Sequence, residues 1–147
     1  MTKYEKKIAE IEQADIFLCE TRSEDLPAKS FRDDDLFTIL INESAFSTEA
    51  ERYVALSHEK THCDLGTFYT VNTPFMTQEW LEQKTWRHQI EEELPFDILD
   101  AAFWCCRTMD GVAYEDVAEH LSTTPDFIAR AVEHYERQEL YVGFGRE

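Results

Sequence analysis

The stretch from Thr48 to Gly66 constrains this chain most, because it is punctuated as a helix at both ends and carries a metal-binding pattern inside. Thr48 is a good N-cap, and Glu51 three residues later completes a capping box. Ala50, Val54, Ser57/His58, Thr61/His62 and Leu65 recur with the helix period. Gly66 supplies a natural stop just past the last turn. A helix over residues 49–65 follows, and within it His58, Glu59 and His62 spell H-E-x-x-H. Positions i and i+4 share one helix face. Two imidazoles stacked that way can reach one Zn²⁺, with Glu59 beside them to take a proton from a water the metal activates. From the chain's own His and Glu frequencies the pattern is expected roughly 0.02 times by chance, so it carries information. The plain alternative is two surface histidines and a solvated glutamate.

A site of this type needs a third protein ligand, and a glutamate on the following helix, facing back, is one solution. Thr77 reads as the cap of that helix, which runs to Leu94 and is stopped by Pro95. Glu82 is the chosen ligand, with Glu79, three residues earlier on a similar face, as the alternative. His88 lies six residues beyond Glu82 on a different face and reads as structural. Cys63 points about 100° away from His62 on the helix and is not taken as a ligand. Tyr69 sits in the loop 67–74 that leaves the motif helix, as a candidate phenol for stabilising an oxyanion or as a packed aromatic.

Around this pair of helices the reading is coarser. Residues 2–14 open with a capping box, Thr2 to Glu5, and carry an apolar stripe of Tyr4, Ile8 and Ile11, with Lys and Glu on the wet face. Ile16 to Cys19 suits a strand, and Asp25-Leu26-Pro27 a turn. Phe31 to Asp35 reads as a second turn, its Asp33-Asp34-Asp35 tip solvated because it lacks EF-hand spacing. Leu36 to Asn42 is the clearest strand and leads into the motif helix. Leu99, Ala102, Phe103 and Cys106 mark a buried helix over 97–107, closed by Met109-Asp110-Gly111. Glu115–Leu121 and Pro125–Gln138 form a helix–turn–helix-like pair, and residues 141–147 a short tail. The expected fold is α+β and mainly helical, with a small sheet beside the H-E-x-x-H helix and a C-terminal helix pair. It reads as one domain over 1–147, with the sheet and metal-site helices in 1–95 and the C-terminal helices in 96–147.

Charge limits the partners. Fourteen basic against 31 acidic residues give a formal charge of −17, spread along the chain without a basic patch. The helix pair invites a DNA-binding reading, but residues 110–139 hold only Arg130 and Arg137 against eight acids, so direct nucleic-acid contact is disfavoured. No apolar run approaches 18 residues and the start has no hydrophobic leader, so neither a membrane span nor a signal peptide is expected and a cytoplasmic location is. Cys19, Cys63, Cys105 and Cys106 lack C-x-x-C spacing and read as reduced, buried thiols.

With these residues in hand, the chain resembles the ImmA/IrrE family of small zinc metallopeptidases of prophages and other mobile elements. The resemblance covers most of the chain. It includes the N-terminal helix, the strand before the motif and S-H-E-x-x-H-C-x-x-G-x-F-Y at Ser57 to Tyr69. It extends to the helix from Glu82 to Pro95 and to G-x-x-x-E-D-V-A-E-H-L…F-I-x-x-A-V-x-x-Y at Gly111 to Tyr135. The resemblance implies a zincin-like fold with one Zn²⁺, His58, His62 and Glu82 as ligands, and Glu59 as general base. It also implies cleavage of a regulatory protein, commonly a repressor encoded beside the peptidase. Thr85 and Gln89 stand where the family has small alanines, which makes that helix face more polar. The negative charge suits a basic helix–turn–helix repressor as substrate. It equally suits a second reading, an acidic zincin-like binding protein that sequesters a basic DNA-binding or nuclease partner without proteolysis.

Overall fold

Three short strands form the mixed sheet of this α+β protein, whose computed structural model describes residues 1–143. The elements run α1 (Lys3–Gln13), β1 (Phe17–Glu20), β2 (Ala28–Asp33), β3 (Leu36–Ile41), α2 (Glu49–Leu65), α3 (Phe75–Glu93), α4 (Phe96–Cys105), α5 (Tyr114–Leu121) and α6 (Pro125–Arg137). The chain divides into two units, Met1–Trp86 and the part from Arg87 onward, and α3 runs across the division.

In the first unit β3 is the central strand, with β1 parallel on one side and β2 antiparallel on the other. Leu18 and Ser30 both stand opposite Ile39, and residues directly opposite share a face of the sheet. That face, with Ile39 and Ile41, joins Tyr4, Ile11, Tyr53, Leu56 and Cys63 in the core. α2 packs on β2 and on α1. The complete Thr2–Glu5 capping box starts α1 as expected. Lys7, expected on the wet face of α1, is instead buried, its ammonium 2.8 Å from Glu10 Oε2.

Residues 31–35 are not the wide turn that was expected. β2 extends through Asp33, and only Asp34-Asp35 turn the chain. Asp34 takes a positive φ of 54°, a conformation that Asp adopts more readily than most residues. β2 is an edge strand whose main-chain bonds come from β3, so it needs no hydrophobic run of its own. The start of α3 also differs. It begins at Phe75, directly after Pro74, so Thr77 lies within the first turn and does not cap it. At the start of α2 Thr48 Oγ1 accepts the Glu51 N–H at 3.1 Å, while the Glu51 carboxylate accepts the N–H of Ser47 at 3.1 Å, one residue outside a regular box. All four cysteines are free, but only Cys63 is buried; Cys105 is exposed and Cys19 and Cys106 lie between.

The second unit packs α5 against α4 and α6. Thr124 caps α6 through the Phe127 N–H at 3.2 Å, with Pro125 in the first helical position. Phe127, Ile128, Ala131, Val132 and Tyr135 form its buried stripe, and the Tyr135 hydroxyl donates to the Leu94 carbonyl at 2.7 Å. α4 ends at Cys105, two residues before the expected boundary. Of the expected tail, residues 144–147 lie outside the described part; the Gly143 N–H donates to Asp100 Oδ1 at 2.7 Å. No helix among the described residues is long and apolar enough to cross a membrane.

Candidate metal centre

α2 carries His58 and His62 one turn apart, their rings 4.8 Å centre to centre and nearly perpendicular. α3 brings Glu82 to them. Its Oε2 lies 2.9 Å from His58 Nε2 and its Oε1 3.0 Å from His62 Nε2. One carboxylate thus faces both ring nitrogens, and the ligand atoms of the three residues lie within 4.8 Å of one another. Glu79, the alternative third ligand, is not part of this group. His88 instead pairs with Glu92 one turn along α3, at 3.3 Å.

The second nitrogen of His62 reveals what the first can do. Gly66, with φ 68°, reverses the chain after α2, and the Thr67 N–H then bonds the His62 carbonyl at 3.2 Å. The Thr67 carbonyl lies 2.9 Å from His62 Nδ1. A carbonyl only accepts, so Nδ1 carries the proton and a neutral His62 presents a bare lone pair at Nε2. That lone pair points at a carboxylate oxygen. Two acceptors at 3.0 Å repel unless a proton or a cation lies between them. Two imidazole nitrogens and a carboxylate, one of them fixed from behind in the ligating tautomer, are a donor set that fits a divalent metal.

In the metal-free protein the electrostatics favour a proton in that gap, the place a cation would take. Burial alone would raise the Glu82 pKa, but hydrogen bonds from His58, His62 and Tyr69 hold it well below the ordinary carboxylate range. Burial would lower the His62 pKa; the Glu82 carboxylate and the charge of Glu59 outweigh that and raise it. Glu59 follows His58 directly and is buried. Desolvation pushes its carboxyl upward, against the pull of His58 and His62. Ser30 Oγ, on the core-facing side of β2, lies 3.5 Å from Glu59 Oε2. Tyr69 donates its hydroxyl to Glu82 Oε1 at 2.7 Å, and burial and that bond push its pKa upward, so it remains a phenol. Its hydroxyl partner is thus the Glu82 carboxylate. All of these groups line a cleft of about 410 Å³, walled on one side by Ala28, Lys29 and Ser30 and on the other by Thr67 to Val71, Gln78 and Glu82.

Four contributors escaped the sequence reading. Trp86 lays its ring 4.1 Å from that of His58. Thr85 Oγ1 stands 2.7 Å from Thr67 Oγ1, which in turn is 2.9 Å from His62 Nδ1. Thr85 and Trp86 lie three and four residues after Glu82, so the helix period counted forward from that glutamate finds both. Thr67 follows from the Gly66 turn. Ser30 needs the strand register, which no local signal contains.

Comparison with protein-family models, curated proteins and solved structures finds no match.

Proposed function

We propose that this chain is a zinc-dependent endopeptidase of the ImmA/IrrE type, acting on a basic regulatory protein such as a helix–turn–helix repressor. The observation that carries this reading is the Glu82 carboxylate facing both His58 Nε2 and His62 Nε2, with buried Glu59 beside them at an open cleft. Zinc held by these three side chains would supply Lewis acidity to a scissile carbonyl and to a water. The protein's own groups do the rest. Glu59 takes a proton from the attacking water and returns it to the leaving amine, a task suited to a carboxyl whose proton affinity burial has raised. The unpaired edge of β2 at Ala28–Ser30 offers main-chain donors and acceptors to an extended polypeptide. Tyr69 steadies Glu82 by donating its one phenolic proton to Oε1, and would serve a substrate oxygen only by leaving that bond.

The test is digestion of a proteome-derived peptide library, reading new termini by mass spectrometry for the wild type and Glu59→Gln, each with zinc added. New termini that vanish with a chelator, and that drop at least about 100-fold in Glu59→Gln, are expected. Identical termini from both proteins would contradict the mechanism. The charge of −17 favours a second reading, an acidic binding protein. That reading gains if neither protein cleaves and both form the same salt-sensitive complex with a basic DNA-binding protein.

A further inference from the structure

We infer that Thr85 is a positioning residue: by taking the proton of the Thr67 hydroxyl it keeps His62 in the Nδ1–H tautomer and leaves His62 Nε2 free to hold a metal. The inference rests on the metal-centre reading above.

The proton order follows from counting donors. Thr85 has one hydroxyl proton, and its Oγ1 lies 2.8 Å from the Leu81 carbonyl, which can only accept. With that proton committed, Thr85 offers lone pairs alone to Thr67 Oγ1 at 2.7 Å. The Thr67 hydroxyl therefore donates to Thr85 and turns its own lone pairs to His62 Nδ1, 2.9 Å away. Thr85 Oγ1 is itself 3.3 Å from Nδ1. The Thr67 carbonyl, also at 2.9 Å, makes the same demand. Among the described residues each partner on this side of the ring acts as an acceptor, and the ring answers with Nδ1–H.

The arrangement fails in a specific way without the Thr85 hydroxyl. Thr67 and Thr85 are 2% and 0% exposed, so the orphaned proton seeks a partner among the protein groups around it. The Thr67 hydroxyl then turns its proton to Nδ1 and competes with the carbonyl. Its gain is the loss of the lone pair at Nε2, because a proton expelled from Nδ1 resides on Nε2. Thr85 touches no ligand atom facing Glu82; it acts through Thr67 and, more weakly, through its own 3.3 Å approach to His62 Nδ1. Its seat three residues after Glu82 lets one helix supply both a ligand and the lock on a second ligand.

The experiment compares wild type, Thr85→Val, Thr85→Ser and the double variant Thr67→Val/Thr85→Val. Zinc affinity is measured by competition with a fluorescent chelator, and the His62 tautomer by long-range ¹H–¹⁵N spectra of the metal-free proteins, with the pH raised until the ring reads as neutral. Thr85→Val should weaken zinc binding about tenfold and convert His62 to a mixture of tautomers. Thr85→Ser should restore both readings. The double variant should also recover the Nδ1–H tautomer, since it removes the competing proton; a packing defect would not be cured by a second cavity-side substitution. Unchanged affinity and tautomer in Thr85→Val would overturn the inference, as would a double variant worse than the single one. Should Thr85→Val fold poorly, Thr85→Ala is read in the same way. If the wild type takes up no zinc, the metal reading fails by itself, and the tautomer spectra still decide the role of Thr85.

Discussion

α2 and α6 are built by the same local rules and used for opposite purposes. Each starts at a threonine whose hydroxyl accepts the N–H three residues on, at 3.1 Å for Thr48 and 3.2 Å for Thr124. Each carries one face into a core. α6 buries Phe127, Ile128, Ala131, Val132 and Tyr135, an apolar stripe with a single histidine. α2 buries Ser57, Glu59, Thr61 and His62 beside Tyr53 and Leu56. Buried polar groups cost stability unless hydrogen-bonded. In α2 most are satisfied: Thr61 donates to the Ser57 carbonyl at 2.7 Å, and His62 to that of Thr67 at 2.9 Å. Glu59 is the exception. Among the described residues its carboxylate meets only the long 3.5 Å approach of Ser30, and desolvation drives its pKa upward. The contrast separates a helix that buries an apolar stripe from one that keeps a desolvated carboxyl beside two histidines able to hold a metal.

The largest expected break in that contrast comes from the apolar side. Phe127→Ala, at a fully buried position of α6, should cost about 3–5 kcal/mol in chemical denaturation, a large part of the roughly 5–15 kcal/mol that holds a domain together. Zinc affinity of the protein that remains folded should be unchanged. Loss of zinc from folded Phe127→Ala would show that the two helices do not divide their tasks in this way. A smaller effect of opposite sign is expected in α2. Glu59→Gln removes a buried charge and should stabilise the metal-free protein by about 1–2 kcal/mol at neutral pH while removing activity. The pKa of Glu59 is raised on folding, so ionisation at neutral pH costs the folded state, and the cost fades as the carboxyl takes up its proton. The gap between wild type and Glu59→Gln should therefore narrow as the pH is lowered from neutral. A Gln variant less stable than wild type at every pH would contradict this account of Glu59.

The same two helices show what a sequence makes legible. α2 runs from Glu49 to Leu65, the expected bounds, because cap, period and stop are all written within one stretch. α6 ends one residue before the expected Gln138 for the same reason. The Glu82 position was accessible from chemistry: a third donor on the next helix, at a spacing that faces back. β2 was not accessible. Its Ala28-Lys29-Ser30-Phe31-Arg32-Asp33 has no hydrophobic alternation to speak of, and β3 supplies the partner that makes it a strand. Ser30 was hidden with it. Thr85 was visible as a polar residue on the face of α3 that carries Glu82. Its meaning emerged only once Thr67, eighteen residues earlier, was brought to 2.7 Å by the Gly66 turn. Local signals thus describe helices and the candidate ligands on them. The groups that orient those ligands arrive through tertiary contacts.

The most direct test is metal content. Elemental analysis of protein purified without chelator, then resupplied with zinc and desalted, compares wild type with His58→Ala and Glu82→Ala. About one zinc per chain in the wild type, lost from both variants, is the expected result for a single site built on two histidines and Glu82. Zinc retained at full stoichiometry in Glu82→Ala, or absent from the wild type after resupply, would contradict the central claim that these three side chains hold the metal.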